Sequence, residues 1–191
     1  LPCVFVRLSG CNLNCNYCDT RYASQTQYQM TVEEIAEKVR TYECPLVEIT
    51  GGEPLSHIET PALADALSDA DMRVLVETNG SYNINKLPHQ VIRIMDIKCP
   101  GSGESKNMDW ANILRLKIKD QVKFVLSHRE DYEWAKKIIM QYQLTHKAHC
   151  LMSPVPNRLN ASDLASWILK DRLRVRLQIQ LHKVVWLNAE R

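Results

Sequence analysis

Cys11-Asn12-Leu13-Asn14-Cys15-Asn16-Tyr17-Cys18 puts three thiols into eight residues, in the spacing C-x3-C-x2-C. Thiols this close in a loop can ligate one metal centre. A structural zinc site normally takes four protein ligands, and an ordinary ferredoxin cluster takes four cysteines. The other four cysteines, Cys3, Cys44, Cys99 and Cys150, are scattered, and none of the six histidines stands at finger spacing. Three cysteines without an evident fourth point to a 4Fe-4S cluster with one iron open to an exogenous ligand. Zinc, or a thiol-redox pair at Cys15 and Cys18, is the alternative for the triplet taken by itself. The scattered four read as small buried hydrophobes.

Outward from the triplet, apolar periodicity alternates between two kinds. Strand-like runs fall at residues 3–8, 46–50, 73–78, 91–97, 122–126, 149–152 and 174–180. Helical patterns fall at 32–39, 60–68, 131–143 and 161–170. Thr31 and Glu34 stand at capping-box spacing before the first helix, and Asn160 precedes the last as a cap. Residues 9–30 read as a long polar loop. Strands separated by helices predict a parallel sheet with helical crossovers. A closed eightfold barrel typically needs about 250 residues, so 191 residues predict an open, partial barrel of roughly six parallel strands. In such sheets chemistry gathers at the C-terminal strand ends. Those ends carry residues 10–20, 50–54, 77–80, 96–103 and 153–154, the segments richest in Cys, Gly and carboxylate.

Composition removes several classes. The chain is 45% apolar and 24% charged, with a net charge of +2. A nucleic-acid track over the whole surface would make it strongly basic, and the basic stretch 170–176 reads as a solvated face. No apolar run approaches the roughly 18 residues of a membrane span. An odd cysteine count without a secretory signal argues against a disulfide framework. No linker or repeat divides residues 1–191, so a single domain is expected.

With Tyr17 directly before its last cysteine, the triplet resembles the radical S-adenosylmethionine (SAM) superfamily. Thr50-Gly51-Gly52-Glu53-Pro54 matches that superfamily's GGEP element after the second strand. The likeness extends further. Residues 5–13, then Cys18-Asp19-Thr20, Glu77-Thr78-Asn79-Gly80, Asp96-Ile97-Lys98-Cys99-Pro100, Val122-Lys123-Phe124-Val125 and Gln180-Leu181-His182-Lys183 resemble, in order, the 7-carboxy-7-deazaguanine synthase family of deazapurine (queuosine) biosynthesis. The resemblance implies a partial β/α barrel whose open iron is chelated by SAM, with reductive cleavage giving a 5′-deoxyadenosyl radical. It implies conversion of 6-carboxy-5,6,7,8-tetrahydropterin to 7-carboxy-7-deazaguanine with loss of ammonia, assisted by Mg²⁺. The cofactor carries such chemistry, while the protein positions and shields.

The same resemblance implies residue roles. Cys11, Cys15 and Cys18 hold the cluster. Tyr17, Cys18, Asp19, Gly52, Glu53, Glu77, Asp96, Ile97 and Lys98 contact SAM. Thr20 supplies a hard oxygen to Mg²⁺, a metal that takes few protein ligands. Arg7 offers a guanidinium fork to the substrate carboxylate, joined by Thr50, Gln180 and His182, the last two on one strand face. No further protein side chain is assigned as catalytic. The expected setting is a cytoplasmic homodimer with a one-electron donor of flavodoxin or ferredoxin type, and no nucleic-acid or membrane partner. Family members carry a short segment before the first strand that contributes to substrate binding, and it is absent before Leu1. A glycyl-radical activating enzyme, which shares the triplet and GGEP, is the second enzyme reading. A zinc or thiol-redox module is the non-enzymatic one.

Overall fold

A computed structural model describes residues 1–25, 28–181 and 185. Seven parallel strands stand in chain order: β1 (Val4–Leu8), β2 (Leu46–Gly51), β3 (Arg73–Thr78), β4 (Ile92–Asp96), β5 (Gln121–Leu126), β6 (His149–Pro154) and β7 (Arg176–Leu177). The sheet is open, with β1 and β7 at its edges. The helices are α1 (Val32–Arg40), α2 (Thr60–Asp69), α3 (Asn112–Arg115), α4 (Arg129–Gln141) and α5 (Ala161–Lys170). The partial barrel expected from alternation is present, with seven strands where roughly six were expected.

Local chemistry explains the boundaries. Thr31 Oγ1 accepts from Glu34 N (3.2 Å), and Glu34 Oε2 accepts from Thr31 N (2.7 Å), so the capping box forms. Such a cap is worth about 1 kcal/mol. Asn160 makes no side-chain cap. α4 starts two residues before the periodicity suggests, because Glu130 and Asp131 favour the positive helix end. It stops once Gln143 turns to φ 51°.

The last strand is shorter than the expected 174–180. Its ladder covers only Leu151↔Arg176 and Met152↔Leu177. Pro154, two residues on along β6, has no N–H to extend it. Gln180 therefore lies beyond the strand. His182 itself lies outside the described residues.

The two faces of the sheet differ. Val6, Val47, Ile49, Val74, Val76, Val122, Phe124 and Leu126 point to the helix side, where Ala36, Val39, Leu63, Leu67, Ala135 and Ile139 join them in one core. Each fully buried large side chain contributes roughly 1.5–3 kcal/mol. The alternate positions, Phe5, Arg7, Glu48, Leu75, Glu77, Gln121, Lys123 and Val125, are exposed or half-buried. Lys123 on β5 reaches Glu77 on β3 at 2.6 Å, across intervening β4, so this second face is the concave inside of the barrel. Of the scattered cysteines, Cys99 and Cys150 are buried as expected, whereas Cys3 and Cys44 are only half-buried. Among the described residues no helix is long and apolar enough to cross a membrane.

Candidate active site

The loop after β1 carries the cysteines, and its backbone is locked to the loop after β2. Glu53 N donates to Gly10 O (2.8 Å) and Gly52 N to Leu8 O (2.9 Å). The contact is close enough to demand glycine. A Cβ on Gly52 would stand 1.9 Å from Gly10 O, and one on Gly51, at φ +145°, would stand 2.0 Å from Leu8 O.

Glu53 fastens this joint to β3. Its side chain is fully buried. Oε1 accepts from Leu55 N (2.9 Å) and Thr78 Oγ1 (2.7 Å), and Oε2 from Asn79 N (2.5 Å). Burial raises its carboxyl above the ordinary range, against the pull of these donors. Its observed work is to tie the GGEP turn to the end of β3.

The cysteine loop then crosses the mouth of the barrel. Asn79 Nδ2 donates to Asn12 Oδ1 (2.9 Å), and Asn12 Nδ2 to Ser81 Oγ (2.9 Å). Asn16 N donates to Ser102 O (2.9 Å), and Asn14 N to Glu104 Oε1 (2.8 Å). The Tyr17 hydroxyl donates to Val125 O (3.1 Å), leaving the ring and backbone of Tyr17 to face a ligand. Gln180 Nε2 donates to Asp19 Oδ2 (2.8 Å). The loop thereby bridges the C-terminal ends of β3, β4 and β5.

All three loop cysteines are free thiols, with Cys11 and Cys18 exposed and Cys15 buried. Burial pushes the Cys15 thiol up to about 11, so a metal must displace its proton on binding. Cys11 Sγ receives Leu13 N (3.5 Å) and Asn79 Nδ2 (3.8 Å), donors that would support a thiolate. Among the described residues no group of three or more His, Cys, Asp or Glu side chains is placed to hold a single metal ion. A cubane asks for something different, because each thiol takes its own iron. A loop offering three separated thiols, those of Cys11 and Cys18 exposed and that of Cys15 buried, fits that demand. Thr20 is half-buried, with Oγ1 3.7 Å from Cys18 Sγ.

The rim next to the loop holds buried polar atoms without partners. Asp96 is 7% exposed. Its Oδ2 takes Lys98 Nζ at 2.6 Å, while Oδ1 has no partner among the described residues. Desolvation alone would lower the Lys98 ammonium, but the Asp96 charge beside it raises it. Ile97 is fully buried, its N–H donates to Lys123 O (2.8 Å), and its carbonyl receives the Cys99 thiol at 3.9 Å. Ser127, just past β5, is buried with Oγ unpartnered. An orphaned carboxylate oxygen and hydroxyl at the ends of β4 and β5 fit a polar zwitterion such as SAM.

Below the rim lies a charged layer. Arg7 and Thr50 are register partners on β1 and β2. Lys123 Nζ holds Glu77 Oε1 at 2.6 Å, and Glu77 is hydrogen-bonded to Glu48. Burial raises Glu77, but Lys123 and the Glu48 hydrogen bond outweigh it and leave it below its ordinary range. Glu48 goes the other way, to about 8, through burial and the Glu77 charge. Sequence reasoning missed Glu48, Lys123, Asn79 and Ser127. The available signal was a charge inside each strand (V-E-I on β2, V-K-F on β5), unusual for a parallel sheet covered on both faces.

A cavity of about 970 Å³ runs instead along the free edge of β1, between it, residues 22–25 and 28–30, and α1. Of the expected site residues it is lined by Arg7 alone, and it carries none of the loop cysteines.

Comparison with known proteins agrees with the fold. The family model described as Radical SAM superfamily matches residues 5–97. The chain is 41% identical over 188 residues to the 7-carboxy-7-deazaguanine synthase of Chlorobaculum tepidum, covering 97% of this chain and 86% of that one. It is 38% identical to that of Koribacter versatilis, covering 97% and 89%, and 40% identical to that of Methanospirillum hungatei, covering 97% and 78%. Among solved structures, Streptococcus suis SuiB bound to precursor peptide SuiA superposes with a TM-score of 0.67 at 10% identity, covering 93% of this chain and 48% of that one. SuiB bound to S-adenosylmethionine gives 0.65 at 11%, covering 99% and 53%. The chain thus spans about half of those two structures, and the likeness shows the fold.

Proposed function

The chain belongs to the radical SAM superfamily and, within it, to the 7-carboxy-7-deazaguanine synthases, and on that premise we propose how its residues divide the work. The reaction takes 6-carboxy-5,6,7,8-tetrahydropterin to 7-carboxy-7-deazaguanine with release of ammonia. One convergence carries the assignment of roles. The cysteine loop is tied across the ends of β3, β4 and β5, above a concave face whose charges include a guanidinium without a carboxylate partner among the described residues.

Cys11, Cys15 and Cys18 would hold the 4Fe-4S cluster. When bound, cluster and SAM supply the radical that starts the rearrangement. Gly52 lets backbone come close to the ligand at the rim. The unpartnered Asp96 Oδ1 would hold the amino group of SAM, with Lys98 keeping Asp96 in place. Tyr17, Asp19 and the Ile97 carbonyl line the same mouth, while Glu53 and Glu77 support it from below. Thr20 would supply one hard oxygen to Mg²⁺, a metal that takes few protein ligands. Arg7 clamps the substrate carboxylate, with Thr50 alongside it, and Gln180 and His182 complete the substrate contacts in this reading. The inner face keeps the substrate under the loop and away from water.

The exposed Cys11 and Cys18 edge leaves an approach for a one-electron donor of flavodoxin or ferredoxin type. The setting in this reading is a cytoplasmic homodimer. The test is an anaerobic assay of reconstituted protein with SAM, Mg²⁺ and the tetrahydropterin. Deazaguanine and ammonia should form together, with a lower rate for Thr20→Ala that added Mg²⁺ restores in part. Cleavage of SAM without deazaguanine, under any reductant, would reject the proposal.

A further inference from the structure

The inner face and the rim turn above it carry three cations, Arg7, Lys98 and Lys123, and three acids, Glu48, Glu77 and Asp96. Two pairs close at 2.6 Å, Lys98 on Asp96 and Lys123 on Glu77. The third does not close. Arg7 makes no ion pair among the described residues, and its guanidinium lies 5.8 Å from the Tyr22 ring centroid. Glu48 is hydrogen-bonded to another acid, Glu77.

Two carboxyls in a hydrogen bond must share a proton. Lys123 decides which one keeps it. Its ammonium sits on Glu77 and stabilises Glu77 as the anion, so the proton belongs to Glu48. We infer that Glu48 is a specificity-determining residue: protonated, it leaves Arg7 as the uncompensated cation of the barrel and so admits a substrate bearing a carboxylate. Ionised, Glu48 would compensate Arg7 and repel the incoming carboxylate.

The other groups facing Glu48 agree with this assignment. Cys3, just before β1, and Arg7 on β1 face it, with Glu77 on β3 and Lys123 on β5. Burial and Glu77 hold the proton on, Lys123 and Arg7 pull it off, and the balance lies near 8. The admission of carboxylate should therefore fade as pH rises through that value. This inference rests on the proposed role of Arg7, and the test separates the two.

Reconstituted holoenzyme with SAM is titrated with two stable fluorescent ligands, 6-carboxypterin and pterin, at pH 7 and pH 9. Both share one ring, so ring ionisation cancels in the ratio of their affinities, which reports the carboxylate alone. For the wild type the ratio should fall about fivefold between the two pH values, the size of one screened charge at lumen distances. In Glu48→Gln, which keeps a hydrogen-bond donor toward Glu77, the ratio should stay at its pH 7 value. In Arg7→Gln it should be low at both. A wild-type-like fall in Glu48→Gln, with Arg7→Gln low throughout, would overturn the inference and leave the Arg7 assignment standing. A wild-type ratio in Arg7→Gln at pH 7 would overturn both. An unchanged wild-type ratio would show that Glu48 does not govern admission.

Discussion

On its helix side β5 presents Val122, Phe124 and Leu126, all fully buried, while one residue along it presents Lys123, held by Glu77 inside the barrel. The same division runs through β2, where Val47 and Ile49 face the core and Glu48 and Thr50 face the lumen, and through β3, where Val76 and Glu77 part ways. A parallel sheet covered on both faces reads as continuous apolar runs. Here only β4 is buried at every position. One face is shaped by packing and the other by what it must hold. Substitutions on the two faces should therefore fail differently.

The largest effect is expected where the faces meet the rim. Gly52→Ala places a methyl on Gly10 O, at 1.9 Å before relaxation. Relief requires parting the cysteine loop from the GGEP turn, at a cost of about 3 kcal/mol or more. Iron bound per chain after reconstitution should collapse together with the melting midpoint. Full iron content in this variant would break the claim that the GGEP turn seats the cluster loop.

Next come two neighbours on opposite faces. Lys123→Met leaves Glu77 ionised beside Glu48 without a counter-charge. That should cost about 2 kcal/mol, below the usual figure for a buried pair because these side chains are 15% and 24% exposed. It should also lower kcat/KM by an order of magnitude or more. Phe124→Leu should cost about 1–2 kcal/mol with kcat/KM unchanged. Chemical denaturation beside steady-state kinetics measures both, and equal kinetic damage from the two would erase the distinction between the faces.

Glu48→Gln sharpens it through pH. The folded Glu48 titrates near 8, up from 4.5. Below about 4.5 both folded and unfolded chains hold the proton, and the variant should match the wild type. As pH rises from there to about 8, the unfolded chain releases a proton the folded chain retains, so the wild type loses stability that the variant keeps. The gap should reach ~2 kcal/mol by pH 8, read from denaturation midpoints across pH. A flat difference would mean that Glu48 is ionised throughout. The smallest effect is Thr31→Ala, which removes the α1 cap far from the lumen. It should cost about 1 kcal/mol and leave turnover untouched.

Much of the outer face was legible in the sequence. Apolar periods located the strands and helices, and Thr31 with Glu34 announced the first helix in two side chains. The cysteine triplet and GGEP located the rim. β7 was overextended, because residues 174–180 alternate like a strand although Pro154 ends the ladder they would need. The lumen was legible only in part. Arg7 and Thr50 stood beside recognisable motifs, but Glu48 and Lys123 lay inside strand runs with nothing to single them out. Their pairing with Glu77 depends on curvature that brings β2, β3 and β5 together, and curvature leaves no mark in a linear pattern. Glu53 stood in a motif suggesting a ligand contact, yet its three hydrogen bonds lie within the protein.

The most direct test of the account is a crystal structure of the reconstituted enzyme with SAM and 6-carboxypterin. The account predicts the pterin carboxylate on Arg7, its ring on the inner face over Glu77 and Lys123, and the SAM amino group on Asp96 Oδ1. A pterin seated instead in the cavity along β1, among Tyr28, Met30 and Ile35, with the charged inner face empty, would contradict it.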